Sequence, residues 1–188
     1  NPMLIATIVV VAVLAVFRIP YADYLQGSSM LTLMLSPVTA VLALNVYNQR
    51  RLLGEYFLPV IVGCLVGTLT SVGSVLLLCK LMAVNASMTS ALLPKSVTTA
   101  IAIAISENLG GIPGVTAAAV VIAGVVGAIF APTFAKLFHV TDPVAEGVAI
   151  GACSHALGTA KALEIGTLQG AMSSVSLCIC GILTSILV

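Results

Sequence analysis

The sequence predicts an all-α integral membrane protein in which full spans alternate with broken or re-entrant helices. Three observations predict it. The 188 residues are 60% hydrophobic and 7% charged, with a mean hydropathy of +1.22, against roughly 25% charged in an average soluble domain. Most of the apolar runs lack the polar face that a surface helix of a soluble domain needs. Finally, three further apolar segments are interrupted in their interiors by Pro, Gly or Ser, so they do not read as plain spans. A net charge of +1 with singly scattered basic residues excludes a nucleic-acid partner.

Taken in order, residues 3–18 are a first span, apolar from Met3 to Phe17 and closed by Arg18 and Pro20. Residues 28–51 are a broken segment. Ser36 is a preferred cap and Pro37 a preferred first helical residue, so a helix restarts at Pro37. From there to Tyr47 the chain covers about 16 Å, half of a ~30 Å hydrocarbon core. Residues 56–79 form a full span carrying Gly63, Gly67 and Gly73. Residues 86–109 are broken at Pro94 and stopped by Gly110, Gly111 and Pro113. Residues 114–138 are another span, with Gly124 and Gly127. Residues 143–165 start on the cap and first-position pair Asp142-Pro143 and break at Gly151, with Ser154 placed to cap the renewed helix. Residues 167–188 close the chain as a span without charge, and the whole of 1–188 reads as one transmembrane domain.

The segments PVTAVLAL from Pro37 and SVTTAIAI from Ser96 resemble each other, and each is followed by a glycine-bearing span. Repeats offset by an odd number of crossings are inverted, which predicts a transporter-like bundle with its site near the midplane. Whether the broken segments cross or dip in and return is decided by loop charge. Crossing leaves almost no bias, whereas hairpins put Arg18, Arg50, Arg51 and Lys136 on one face against Lys80 alone, and the positive-inside rule prefers hairpins.

Chemistry is expected at the breaks, because interrupted helices leave backbone groups without partners in the membrane. Half-helix N-termini favour anions, and Lys95, Ser96, Thr98 and Thr99 stand around the start at Pro94. Snorkelling of Lys95 and back-bonding of the hydroxyls is the bland alternative. In the third broken segment Ser154 stands at the new helix start and His155, Gly158, Thr159 and Ala162 form one narrow face, where His155 either donates to a carboxylate, relays a proton or is a satisfied core histidine. Lys161 and Glu164, three residues apart, pair with each other or serve coupling, and Glu107 reads as interfacial rather than coupling. No catalytic, metal or cofactor site is expected. Ser154 and His155 are neighbours that diverge on a helix without a nucleophile elbow, and two histidines sixteen apart make no metal site. The five cysteines, including Cys178 and Cys180 about 200° apart on a helix, read as small packing residues.

Through PKSVTTAIAIAISENLGGIPGVTA (94–117) and DPVAEGVAIGACSHALGTAKALEIG (142–166), the sequence resembles the LrgB/CidB family of bacterial membrane proteins, most closely its inner-membrane branch in enteric bacteria. The resemblance covers most of the chain and implies a further hydrophobic segment upstream of Asn1. It implies two functions. One is transport of a small monocarboxylate or 2-hydroxy acid such as glycolate, glycerate or pyruvate, since a plastid relative translocates glycolate and glycerate and bacterial pairs are linked to pyruvate. The other is modulation of murein hydrolase activity and autolysis together with a small holin-like LrgA/CidA partner. It brings no set of binding residues with it. A bacterial cytoplasmic membrane location follows, and the glycine-bearing span faces suggest a homodimer.

Overall fold

A computed structural model describes residues 2–33, 44 and 47–188, and these fall into two units, residues 1–38 and 39–188. The break expected at Pro37 lies outside the described residues. In the first unit α1 (Pro2–Val16) is followed by the short α2 (Tyr21–Gly27) and α3 (Ser29–Leu33). In the second, α4 (Arg50–Glu55) leads into α5 (Phe57–Leu81), α6 (Ala86–Leu92), α7 (Thr99–Asn108), α8 (Pro113–Leu137), α9 (Pro143–Ile165) and α10 (Thr167–Leu187). Among the described residues there is no strand.

Among the described residues three helices, α5, α8 and α10, are long and apolar enough to cross a membrane. At 25, 25 and 21 residues they reach about 38, 38 and 32 Å, enough for a ~30 Å core. Their polarity is turned inside out relative to a soluble protein. Leu58, Val62, Val66 and Leu69 of α5 and Ile122, Val126 and Ile129 of α8 are exposed, while Thr68, Thr116, Ser154, His155, Thr159, Ser173, Ser176 and Thr184 are buried. In lipid, apolar surface gains nothing by turning inward, and small or polar residues make the helix contacts. Gly63 and Gly67 of α5 do this against Val148 and Ala152 of α9.

Helix stops are as readable as helix starts. α1, α5 and α8 each end in a residue with a left-handed backbone, Arg18 (φ 50°), Ala83 (φ 51°) and His139 (φ 53°). In each case the next amide reaches back to a carbonyl five residues earlier, Ile19 to Leu14, Val84 to Cys79 and Val140 to Ala135, at 2.9–3.0 Å. This is the Schellman closure, here without glycine. New helices then start on Asn85, whose side chain accepts from the Met88 amide, and on Asp142, whose side chain accepts from the Val144 amide, both at 2.8 Å.

Both described broken segments fold back on themselves. Ser87, at the start of α6, donates to the carbonyl of Gly110, just past the end of α7, at 2.8 Å. The two ends of segment 86–109 therefore lie side by side, with its tip at residues 93–98. Helix α9 leaves helical geometry at His155 (φ 40°, ψ −138°). A Cβ on Gly158 would lie 3.0 Å from the Ile150 side chain and 3.1 Å from its carbonyl oxygen. Residues eight apart on a straight helix are about 12 Å apart, so residues 143–154 and 156–165 are two antiparallel limbs. The break expected at Gly151 is thus four residues early. Gly151 is helical and buried against Ser173 of α10, and it is the close approach of α10, not a chain break, that requires a glycine there.

Candidate functional site

The two hairpins enter beside opposite ends of α8, since Gly110 precedes its first residue while Glu146 and Ile165 line a cavity with Lys136 and His139 at its last turn. Their tips converge on its middle. Val120 packs its side chain against Val97 and Ala102 of the first hairpin. Its carbonyl, 2.8 Å away, meets Nε2 of His155 at the tip of the second. A carbonyl only accepts, so Nε2 carries the proton and His155 is the donor.

The His155 tip is held from three directions. Gly124 and Gly127 make a notch in α8, where a Cβ on Gly124 would stand 2.5 Å from the imidazole and one on Gly127 would stand 2.7 Å from the Ser154 Cβ. Thr159 donates to the His155 carbonyl at 2.9 Å, which leaves the Ser173 hydroxyl, 2.8 Å from Thr159, to donate in turn. The tip is thereby tied to α8 and α10, and Ser154 and His155 are 1% and 3% exposed. Its backbone is strained, for φ 40° with ψ −138° is a conformation that side-chain-bearing residues pay to adopt.

The first tip is built around a cation. Lys95 is half-buried, and its Nζ donates to the hydroxyls of Ser71 and Ser96, each at 3.3 Å, while the two hydroxyls share a bond of 2.7 Å. These are neutral partners. Among the described residues no carboxylate pairs with Lys95, and the ammonium keeps a third N–H that those two bonds do not use. Thr98 is the residue before α7, its hydroxyl buried without a partner, and Thr99 opens the helix. Lys95 and Cys153 stand at the two tips, which are joined through Val120 of α8.

Not every residue expected at the site is there. Lys161 and Glu164 form an ion pair of 2.7 Å on an exposed face of the second limb, and Glu107 is exposed near the end of α7. Ser106 of α7, which follows Thr99 on the same helix, is spent on accepting a 2.7 Å bond from Thr116 of α8. Conversely, Ser71, Cys153, Ser173 and the Val120 carbonyl belong to the site and were not singled out. A serine in a long apolar span, or a backbone oxygen in a regular helix, carries no local signal.

Fold and site together define an all-helical membrane protein with two folded-back hairpins whose tips meet on α8, one of its candidate spans. The chain belongs to the LrgB-like family, whose model matches residues 1–188. It is 38% identical over 184 residues to the Bacillus subtilis protein YxaC, described as uncharacterized, covering 98% of this chain and 80% of that one. It is 33% identical over 188 residues to the antiholin-like protein LrgB of Bacillus subtilis, covering all of this chain and 81% of that one. The antiholin-like protein LrgB of Bacillus cereus is similar at 32%, over all of this chain and 82% of its own. No solved structure matches the chain.

Proposed function

We propose that the protein is a secondary carrier of small monocarboxylates or 2-hydroxy acids of the glycolate, glycerate and pyruvate kind, working in the bacterial cytoplasmic membrane. The observation that carries this reading is the half-buried Lys95 ammonium, supported only by two neutral serines at a hairpin tip. A charge inside a membrane protein is expensive, and one without a counter-ion is matched to an anion that comes and goes. Lys95 is one cation, which suits one carboxylate; the hydroxyls of Ser71, Ser96, Thr98 and Thr99 suit the carboxylate oxygens and a 2-hydroxyl. Ser154, His155 and Thr159 form the opposing wall, with His155 positioning the tip.

Supporting the carrier reading is the pairing of α5 with hairpin 86–109 and of α8 with hairpin 143–165. Each is a span followed by a hairpin that returns to the end where the span left off. We read this as an inverted repeat, the architecture of alternating access. Lys161–Glu164 is a structural pair in this scheme and Glu107 an interfacial group. Gly73 of α5, with open space over it, is the glycine left for contact with a second copy in a homodimer.

The test is uptake of labelled pyruvate and glycolate by liposomes holding the purified protein. Lys95→Ala is expected to lower uptake at least tenfold, about 1.4 kcal/mol, with Lys95→Arg retaining more than Lys95→Ala. Wild-type liposomes that move none of these acids overturn the reading. The relatives named antiholin-like favour a second one, modulation of murein hydrolases and autolysis with an LrgA-like membrane partner. Under it, deletion alters autolysis, Lys95→Ala restores the wild-type rate, and carboxylate uptake never responds.

A further inference from the structure

The first limb of the 143–165 hairpin is flanked by two grooves. One, of about 250 Å³, runs between it and α8, from Phe138 and Val140 inward past Ala149 to Cys153, Ser154 and Gly127. The other, of about 380 Å³, runs between it and α5, from Tyr56 and Asp142 inward to Ala152 and Cys153. Both start at the Asp142 end of the limb, and both reach Cys153. Of the five cysteines, Cys64, Cys79, Cys178 and Cys180 are buried and Cys153 alone is exposed.

The inner end of the α8-side groove carries a second sign of a ligand. Ser154, a residue only 1% exposed, lines it, and among the described residues its hydroxyl has no protein partner and opens onto the groove. A hydroxyl that faces a cavity with no protein partner has its O–H left to donate to a bound acceptor. The two mouths also differ. Asp142 lines the α5-side groove, whereas Lys136 and His139 line a cavity that adjoins the α8-side groove through Ala135, Val140 and Glu146. Glu146 is engaged by Gln169 at 3.1 Å. Glu146 itself lines the α8-side groove, and Lys136 beside that mouth offsets its carboxylate, which favours entry of an anion there over the Asp142 side.

We infer that the α8-side groove is the access route to the Lys95 site in this conformation, and that Cys153 and Ser154 are the residues a carboxylate meets where the route ends. The inference rests on the carrier reading and deepens it. Ser154 donates to the carboxylate, Lys95 supplies the charge, and the apolar walls formed by Ala131, Ala149 and Ile150 accept a short carbon tail. Cys153 marks the junction, so anything attached to its sulfur closes the route.

The experiment uses the full chain in inside-out and right-side-out vesicles, with the membrane-impermeant anionic reagent sulfonatoethyl methanethiosulfonate. Modification mapped by mass spectrometry is expected at Cys153 and at none of the buried cysteines, and from one side only, the side of the Asp142 end. Pyruvate is expected to slow it several-fold, and the modified protein to lose most of its uptake. The label must disappear in Cys153→Ser. Uptake that proceeds while Cys153 stays unmodified, or is modified without protection by pyruvate, overturns the inference and leaves the carrier reading standing. Absence of uptake of any such acid removes the carrier reading and the inference with it, whatever the labelling shows.

Discussion

His155 combines two demands that oppose each other. Its ring donates to the Val120 carbonyl, which only a side chain can do, while its backbone sits at φ 40°, ψ −138°, where only glycine is at ease. The two contributions separate by mutation. His155→Ala loses the hydrogen bond and keeps the strain, whereas His155→Gly loses the bond and releases it. Strain at such a residue is worth about 1–3 kcal/mol, offset by the ~0.5–1 kcal/mol entropic cost of glycine. His155→Gly is therefore expected to unfold at higher denaturant concentration than His155→Ala, by about 1 kcal/mol; equal stabilities contradict a strained tip. The notch makes a companion prediction. Gly124→Val puts a side chain where the imidazole stands, and is expected to destabilise by 1–3 kcal/mol, the usual cost of overpacking. Of these residues the sequence made His155, Lys95 and Thr159 legible, because polar groups in apolar runs demand a reason. Val120 and Ser71 were not legible, since their roles arise from contacts with residues 35 and 24 positions away.

At the scale of elements, two broken segments were visible in Pro94, Gly110, Gly111 and the Asp142-Pro143 pair, and it was loop charge, not the breaks themselves, that favoured hairpins. A break says that hydrogen bonding stops; it does not say where the chain goes next. That is settled by tertiary contacts such as Ser87 to Gly110. The position of the third break also escaped local reading. Gly151 carries the helix-breaking signal but is needed for the approach of α10, and the reversal falls on His155, which carries none. Re-entrance predicts sidedness. In a Cys153→Ser background, single cysteines at Met82 and Leu109, both exposed, are expected to react with an impermeant thiol reagent from the same side of the membrane. Cysteines at Thr141 and Thr167 are expected to react together from the other side. Met82 and Leu109 reacting from opposite sides would mean that segment 86–109 crosses.

The whole molecule adds an orientation to that sidedness. In residues 39–188, α5 and α10 leave the Asp142 end and α8 returns to it, as shown by Gly63 and Gly67 lying along the first limb of α9 and by the Cys64 thiol donating to the Ser176 carbonyl of α10. Arg50, Arg51 and Lys136 therefore stand at one end and Lys80 at the other. Lys95 and Lys161 do not enter the count, because Lys95 is held inside by Ser71 and Ser96 and Lys161 is paired with Glu164. Acidic residues weigh little in setting topology, so Glu55, Asp142 and Glu146 do not cancel the bias. The Asp142 end is thus expected to face the cytoplasm, which would make the groove reaching Cys153 an inward-facing opening. A reporter that fluoresces only in the cytoplasm, inserted between Val140 and Thr141, is expected to be bright, and one inserted after Met82 dark. If Lys80 and Arg51 are exchanged for neutral residues together, the net bias is unchanged at two against none and the orientation should hold. Neutralising Arg50, Arg51 and Lys136 leaves Lys80 alone and should produce molecules of the opposite orientation, measured as signal from the Met82 reporter.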